Sequence, residues 1–167
     1  MHLNSLNKTL YKSILFSLLI FNIIYSQKNI RVNKTDLDNG LKILSYNIRY
    51  DNPDDGINKW DNRKGTMINY IKKNTPDIIG MQEVLNNQLI ELDSSLDDYA
   101  FVGVGREDGK TKGEYSPIFF KPSKLKLIKS DTFWLSETPD KVSVGWDAAL
   151  ERICTYALFE QISTKKQ

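Results

Sequence analysis

Two short polar segments, SYNIR (45–49) and MQEV (81–84), each close an apolar run of the 167-residue chain. Within them, Asn47 offers an amide oxygen and Glu83 a carboxylate. Both are hard oxygen donors, suited to an ion such as Mg2+ that prefers oxygen and keeps several of its waters. The run PDIIG before MQEV reads as a buried strand. A carboxylate at the end of a buried strand is costly unless something pairs with it, and a cation that neutralises a buried Glu83 would remove that cost. Asn and Glu at strand ends also serve as ordinary cap and turn residues. The residues alone leave both readings open.

For Asn47 and Glu83 to share an ion, their strands must end together. Residues 41–47 alternate well enough for a strand, and 51–56, dense in turn formers, stop it. Trp60, Met67, Ile68, Tyr70 and Ile71 fit one side of a helix over 60–73, with Pro76 beyond its polar end. Residues 76–84 form the next strand. Leu85, Leu89, Leu92 and Leu96 then mark an amphipathic helix over 85–96. Two parallel strands joined by a crossover helix put both carboxyl ends on one sheet edge, where ligand sites of open α/β sheets gather. Five further strands are expected, at 99–104, 115–121, 125–129, 132–135 and 152–161, giving a mixed α/β domain in which helices cover a sheet or a pair of packed sheets.

The first 26 residues differ in kind. Lys8 and Lys12 precede an apolar stretch over 13–24, followed by Ser26 at a plausible cleavage point: the layout of a secretory signal peptide. Twelve residues that include Asn22 fall short of the ~20 a spanning helix needs. The expectation is therefore a signal peptide over 1–26, a polar leader over 27–40, a domain from 41 to 167 and a secreted or periplasmic protein with no stable membrane span. Of 23 basic residues the signal segment takes two, leaving 21 against 21 acidic ones. That balance gives no broad basic field and weighs against a protein gripping long nucleic acid mainly through its phosphates. Cys154 is the only cysteine, so no intrachain disulfide is available; it is expected as a small buried apolar residue.

The segments LKILSYNIRYDNPDDGINKWDNRK, PDIIGMQEV and GEYSPIFFK, in that order, resemble the endonuclease/exonuclease/phosphatase superfamily, and FWLSETPD and GWDAALERICTYALFE resemble its secreted bacterial branch. The resemblance spans residues 41 to 160. It implies the deoxyribonuclease I-like fold, a four-layer sandwich with helices outside two β-sheets, truncated here after roughly the first half. It also implies a phosphoesterase that hydrolyses a phosphodiester or phosphomonoester with Mg2+, or with Mn2+ in its place. In that reading Glu83 is the main metal ligand, and Asn47, also at the metal, orders the scissile phosphate. Arg49 is placed to contact phosphate or to form a surface ion pair. Tyr115 borders the pocket or is simply packed. Arg152 either pairs with Asp147 or reaches the phosphate. Trp60 and Arg63 match the branch, and Trp60 is most simply core. The loop over 105–113, with Arg106, Lys110 and Lys112, is either a flexible basic steering element or a solvated connection.

The family's reaction also uses a histidine–aspartate pair, an Asp-x-Asn pair and a closing Asp-His, but the one histidine is His2. General acid–base help is worth roughly 10²–10⁴ in rate, so the expectation is a fragment inactive by itself. Its full-length form would be a monomer acting on a phosphorylated small molecule, a lipid head group or, as a secreted nuclease, nucleic acid. The rival is a catalytically dead extracellular module that binds a ligand or partner. A half sandwich would also leave apolar faces uncovered.

Overall fold

β1 (Ile43–Asn47) and β2 (Ile78–Gln82) lie side by side in parallel, with Ile43 opposite Ile78 and Asn47 opposite Gln82. These coordinates are a computed structural model that describes residues 40–167. The signal-peptide assignment over 1–26 and the leader as far as residue 39 lie outside the described residues.

Parallel neighbours need a long return, and α1 (Trp60–Asn74), preceded by a 3-10 segment over Pro53–Asn58, supplies it. Asp61 in its first turn and Lys72 and Lys73 in its last suit the helix dipole. The helix stops where Thr75 turns left-handed, with φ 45°, directly before Pro76, a residue that disfavours a helical predecessor. After β2 comes α2 (Asn86–Ser95), then β3 (Ala100–Val102) and β4 (Ile118–Phe120). The sheet order is β1-β2-β4-β3, with β4 antiparallel to both of its neighbours.

Both helices cover one face of this sheet. Met67 and Ile71 of α1, and Leu89 and Leu92 of α2, join Ile79, Met81 and Phe119 in one buried cluster that also holds Trp60. Trp60 is core, as its place on the apolar side of the helix suggests, and its indole N–H donates to Glu91 Oε2 at 3.0 Å. On the sheet's other face Phe120 meets Phe159, with ring centroids 4.8 Å apart. Phe159 belongs to a second, two-stranded sheet of β5 (Leu125–Trp134) and β6 (Ile153–Gln161).

The segments expected as two strands, 125–129 and 132–135, form the single strand β5, whose register shifts between Leu127 and Lys129. Such a bulge breaks the alternation, which is why one strand reads as two. Cys154 is exposed, not buried. Alternation along β6 turns Thr155, Ala157 and Phe159 inward and leaves Cys154, Tyr156 and Leu158 outward. Among the described residues no helix covers that outer face, so the layers seen are helices, sheet and sheet, and a fourth is not. No described helix is long and apolar enough to cross a membrane.

The connectivity decides which loops share an edge. The ends of β1, β2 and β3 and the start of β4 lie together, because β4 runs against β2 and β3. β5 begins at the opposite edge, where the Leu125 N–H bonds the Lys121 carbonyl, and runs back so that Trp134 reaches the Arg106 carbonyl at 2.7 Å. The opposite edge is tied by Asp77, whose carboxylate accepts the Lys42 N–H at 2.9 Å and lies 2.9 Å from Lys124 Nζ.

Candidate functional site

At the shared edge, Asn47 Nδ2 donates to Glu83 Oε1 at 2.9 Å. The strands explain half of this contact, since Asn47 sits opposite Gln82 and the Ile48 N–H bonds the Gln82 carbonyl at 3.1 Å. Strict alternation would send residue 83 to the helix-covered face with Met81. Glu83 instead adopts a left-handed backbone, φ 59°, which departs from that alternation. Its other oxygen, Oε2, accepts the Tyr50 N–H at 3.3 Å. Glu83 is only half-buried, which corrects the expectation of a buried carboxylate. It stays accessible to a ligand because it lies past the strand end and not within the strand.

The segment after β1 is equally constrained. Arg49 also has φ 59°, and its N–H is held by Asn47 Oδ1 at 2.9 Å. A non-glycine residue in this region is uncommon, and such residues cluster at functional sites, where the surroundings over-determine them. Here one amide fixes both neighbours. With Oδ1 accepting from Arg49 and Nδ2 donating to Glu83, the hydrogen bonds set the orientation of the Asn47 side chain. Arg63 of α1 adds a clamp: Nη1 donates to the Ile48 carbonyl, Nη2 to Arg49 O at 2.6 Å and Tyr50 O at 3.4 Å, and Nε to Asn58 O at 2.9 Å.

The Arg49 side chain forms a two-pronged ion pair with Asp55, at 3.0 and 2.9 Å, and stacks over the Tyr50 ring. The hydrogen bonds to Asp55 raise the guanidinium pKa further, and the Asp55 carboxyl is held below the usual carboxylate range by Arg49. The expected surface pair is present. Tyr115 is buried, and its hydroxyl lies 2.9 Å from the Lys110 carbonyl and 3.0 Å from Asn86 Oδ1. It is the packed tyrosine of the two readings, and burial raises its pKa. Its backbone exchanges hydrogen bonds with Val84, next to Glu83, so Tyr115 touches the site through the main chain.

Arg152 is exposed just before β6, and the structure brings it to neither Asn47 nor Glu83; among the described residues it forms no ion pair with Asp147. The loop over 105–113 is not a loose basic arm. Arg106 is buried and pairs with Glu114 at 3.1 Å, while Asp108 Oδ1 accepts the N–H groups of Lys110 and Lys112. Those bonds hold the Asp108 carboxyl below its ordinary range. Gly105 is required there, because a Cβ would lie 2.2 Å from the Lys112 carbonyl oxygen.

Sequence reasoning missed Gln88 and Asp55. Gln88 is wholly buried. Its signal was a polar residue beside Leu89 within the apolar stripe of α2, three residues after the helix start, where a side chain can reach back to cap. Asp55, hidden in a turn-rich segment, had none.

A divalent cation fits the donors present. Among the described residues no three His, Cys, Asp or Glu side chains gather, so an all-protein cage is absent there. Asn47 turns its N–H2 to Glu83 while its Oδ1 accepts the Arg49 N–H, so the amide is not an oxygen ligand as expected from the sequence. Glu83 is the one anionic donor of the pair; Mg2+ binds through one or two carboxylates and retains water.

No family model matches the chain. Solved structures do. An endonuclease/exonuclease/phosphatase from Bacteroides vulgatus is 48% identical, with a TM-score of 0.74 over 75% of this chain and 49% of that protein. The mannosyl-6-phosphatase of Bacteroides thetaiotaomicron is 40% identical, with a TM-score of 0.73 over 75% of this chain and 48% of the phosphatase. An uncharacterized protein of Acanthamoeba polyphaga mimivirus is 30% identical over 112 residues, 64% of this chain and 42% of the viral protein. The chain thus spans about half the length of these relatives.

Proposed function

From a chain that belongs to the endonuclease/exonuclease/phosphatase superfamily, with its deoxyribonuclease I-like fold, we propose a divalent-metal-dependent phosphoesterase function. In it Glu83 holds Mg2+ or Mn2+ and Asn47 orders the phosphate. The single observation that carries this reading is the Asn47–Glu83 hydrogen bond of 2.9 Å at the carboxyl ends of two parallel strands. When bound, a divalent ion supplies Lewis-acid stabilisation of the charge that water attack builds on non-bridging phosphoryl oxygens.

The chain's own residues do the rest. Asn47 holds one oxygen of Glu83, leaving lone pairs on the carboxylate free for a cation. The second N–H of the same amide is the donor that a phosphoryl oxygen would meet at this edge. Arg49 reaches an anion only by leaving Asp55. The substrate class best supported is a phosphorylated sugar, because a mannosyl-6-phosphatase matches three quarters of this chain at 40% identity. The even balance of charge after the first 26 residues leans the same way, against long nucleic acid. Export rests on the layout of those 26 residues.

The test is Mn2+ titration followed by electron paramagnetic resonance, paired with hydrolysis of mannose 6-phosphate, bis(p-nitrophenyl) phosphate and single-stranded DNA. Saturable Mn2+ binding that Glu83→Gln abolishes is the expected outcome, with any hydrolysis lost in the same variant. Wild-type protein that binds no Mn2+ would overturn the reading.

A further inference from the structure

Gln88 makes three hydrogen bonds, and only one serves its own helix. Its Oε1 accepts the Leu85 N–H at 3.0 Å, the reach-back half of a capping box at the start of α2. The same oxygen accepts the Asp51 N–H at 3.1 Å, and its Nε2 donates to the Arg49 carbonyl at 3.0 Å. A helix cap needs the first bond alone. The other two cross 37 and 39 residues to the segment after β1.

Those two bonds fall where the backbone is least relaxed. Arg49 is left-handed; its N–H is held by Asn47 and its carbonyl by Gln88 and Arg63. Glu83, the second left-handed residue, lies two positions before Leu85. Hydrogen-bonded groups therefore run from Asn47 through Arg49 and Gln88 to Leu85, and the direct Asn47–Glu83 bond closes the circuit. The side chain inside it is 0% exposed, so breaking any of its bonds strands a polar group away from water.

We propose that Gln88 is a positioning residue that locks the segment after β1 to the segment after β2, setting the separation of Asn47 and Glu83 for a divalent cation. The inference rests on the metal-binding role proposed for Glu83. Residues that orient ligands through hydrogen bonds typically cost about 10–100-fold in metal affinity when lost.

Two variants separate the lock from the cap. Gln88→Glu keeps an acceptor for Leu85 and Asp51 but faces the Arg49 carbonyl with no donor. Gln88→Met removes all three bonds at similar volume. Mn2+ affinity of both is expected to fall about 10–100-fold, whereas Ile71→Val, a core change far from this edge, loses stability and keeps its affinity. The metal-free readout is amide hydrogen exchange. In wild-type protein the Asp51 and Leu85 amides share one protection level, and in Gln88→Glu the Tyr50 amide, which bonds Glu83, exchanges faster.

Wild-type protein that binds no Mn2+ defeats the metal reading and leaves the exchange result to judge the lock. Unchanged affinity and unchanged Tyr50 exchange in a folded Gln88→Glu protein would overturn the proposal. Should neither variant fold, wild-type exchange still decides: a freely exchanging Asp51 amide beside a protected Leu85 amide refutes it.

Discussion

Arg49 and Asp55 form a two-pronged ion pair six residues apart, and it occupies the side chain best placed to meet an anion at this edge. Arg49 is about half exposed and Asp55 only partly, so the pair is open to solvent from the arginine side and exchangeable there. Asp55→Asn is expected to free the guanidinium and tighten binding of inorganic phosphate, measured with Mg2+ present, by on the order of 2–5-fold, the scale of an exposed pair. Adding Arg49→Met should erase that gain. If Asp55→Asn weakens phosphate binding instead, Asp55 aims Arg49 at the ligand and does not withhold it.

Asn47→Asp places a second carboxylate where an amide N–H2 now sits 2.9 Å from Glu83 Oε1. Two like charges that close cannot both ionise freely, so the pair keeps a proton to higher pH than a lone carboxylate. The folded variant then binds more protons than the unfolded one, and its stability is lost as pH rises through the raised folded value. Its urea midpoint, without metal, is expected to fall between about pH 4 and 8 relative to wild type. Millimolar Mg2+ should restore it, because a cation is what two facing carboxylates lack. A flat difference across that range, or no rescue by metal, would count against convergence of the two side chains on an ion.

At the opposite edge, burial alone would push the Asp77 carboxyl upward, but the bond to Lys124, the Lys42 N–H and the charges of Lys124 and Lys121 outweigh it. Its folded pKa is therefore depressed. The stability this confers is present above the unfolded value, about 3.9, and is lost as pH falls through the lower folded value. Asp77→Asn is expected to cost about 1–3 kcal/mol at pH 7 and to flatten the acid side of the stability curve, followed by urea denaturation from pH 2 to 7. An acid limb as steep as in wild type would mean that other carboxylates set it.

What could be read in advance follows from how local each signal is. The four elements up to residue 96 carry clean periodicities, with Leu85, Leu89, Leu92 and Leu96 marking α2 and the apolar run before Gln82 marking β2. Parallel pairing through a crossover helix then implied that residues 47 and 83 share an edge. The left-handed backbone at Arg49 and Glu83 has no residue-type signature, since neither is glycine or asparagine. Nor does a ladder bulge such as that between Leu127 and Lys129, so β5 read as two strands. The basic loop misled because composition reports charge and not burial. Arg106 is inside only because Glu114 and the fold of the loop meet it there.

Tyr115 decides whether that loop belongs to the site or merely adjoins it. Its hydroxyl ties the Lys110 carbonyl to Asn86 at the start of α2, while its backbone exchanges hydrogen bonds with Val84. Tyr115→Phe removes the first tie and keeps the second. The expected cost is about 0.5–1.5 kcal/mol, with faster amide exchange confined to 105–113 and Mn2+ affinity unchanged, because the backbone bridge beside Glu83 survives. If the variant instead lost metal or phosphate affinity at undiminished stability, the ring would have to face the ligand, and the packed position seen here would be one of two states.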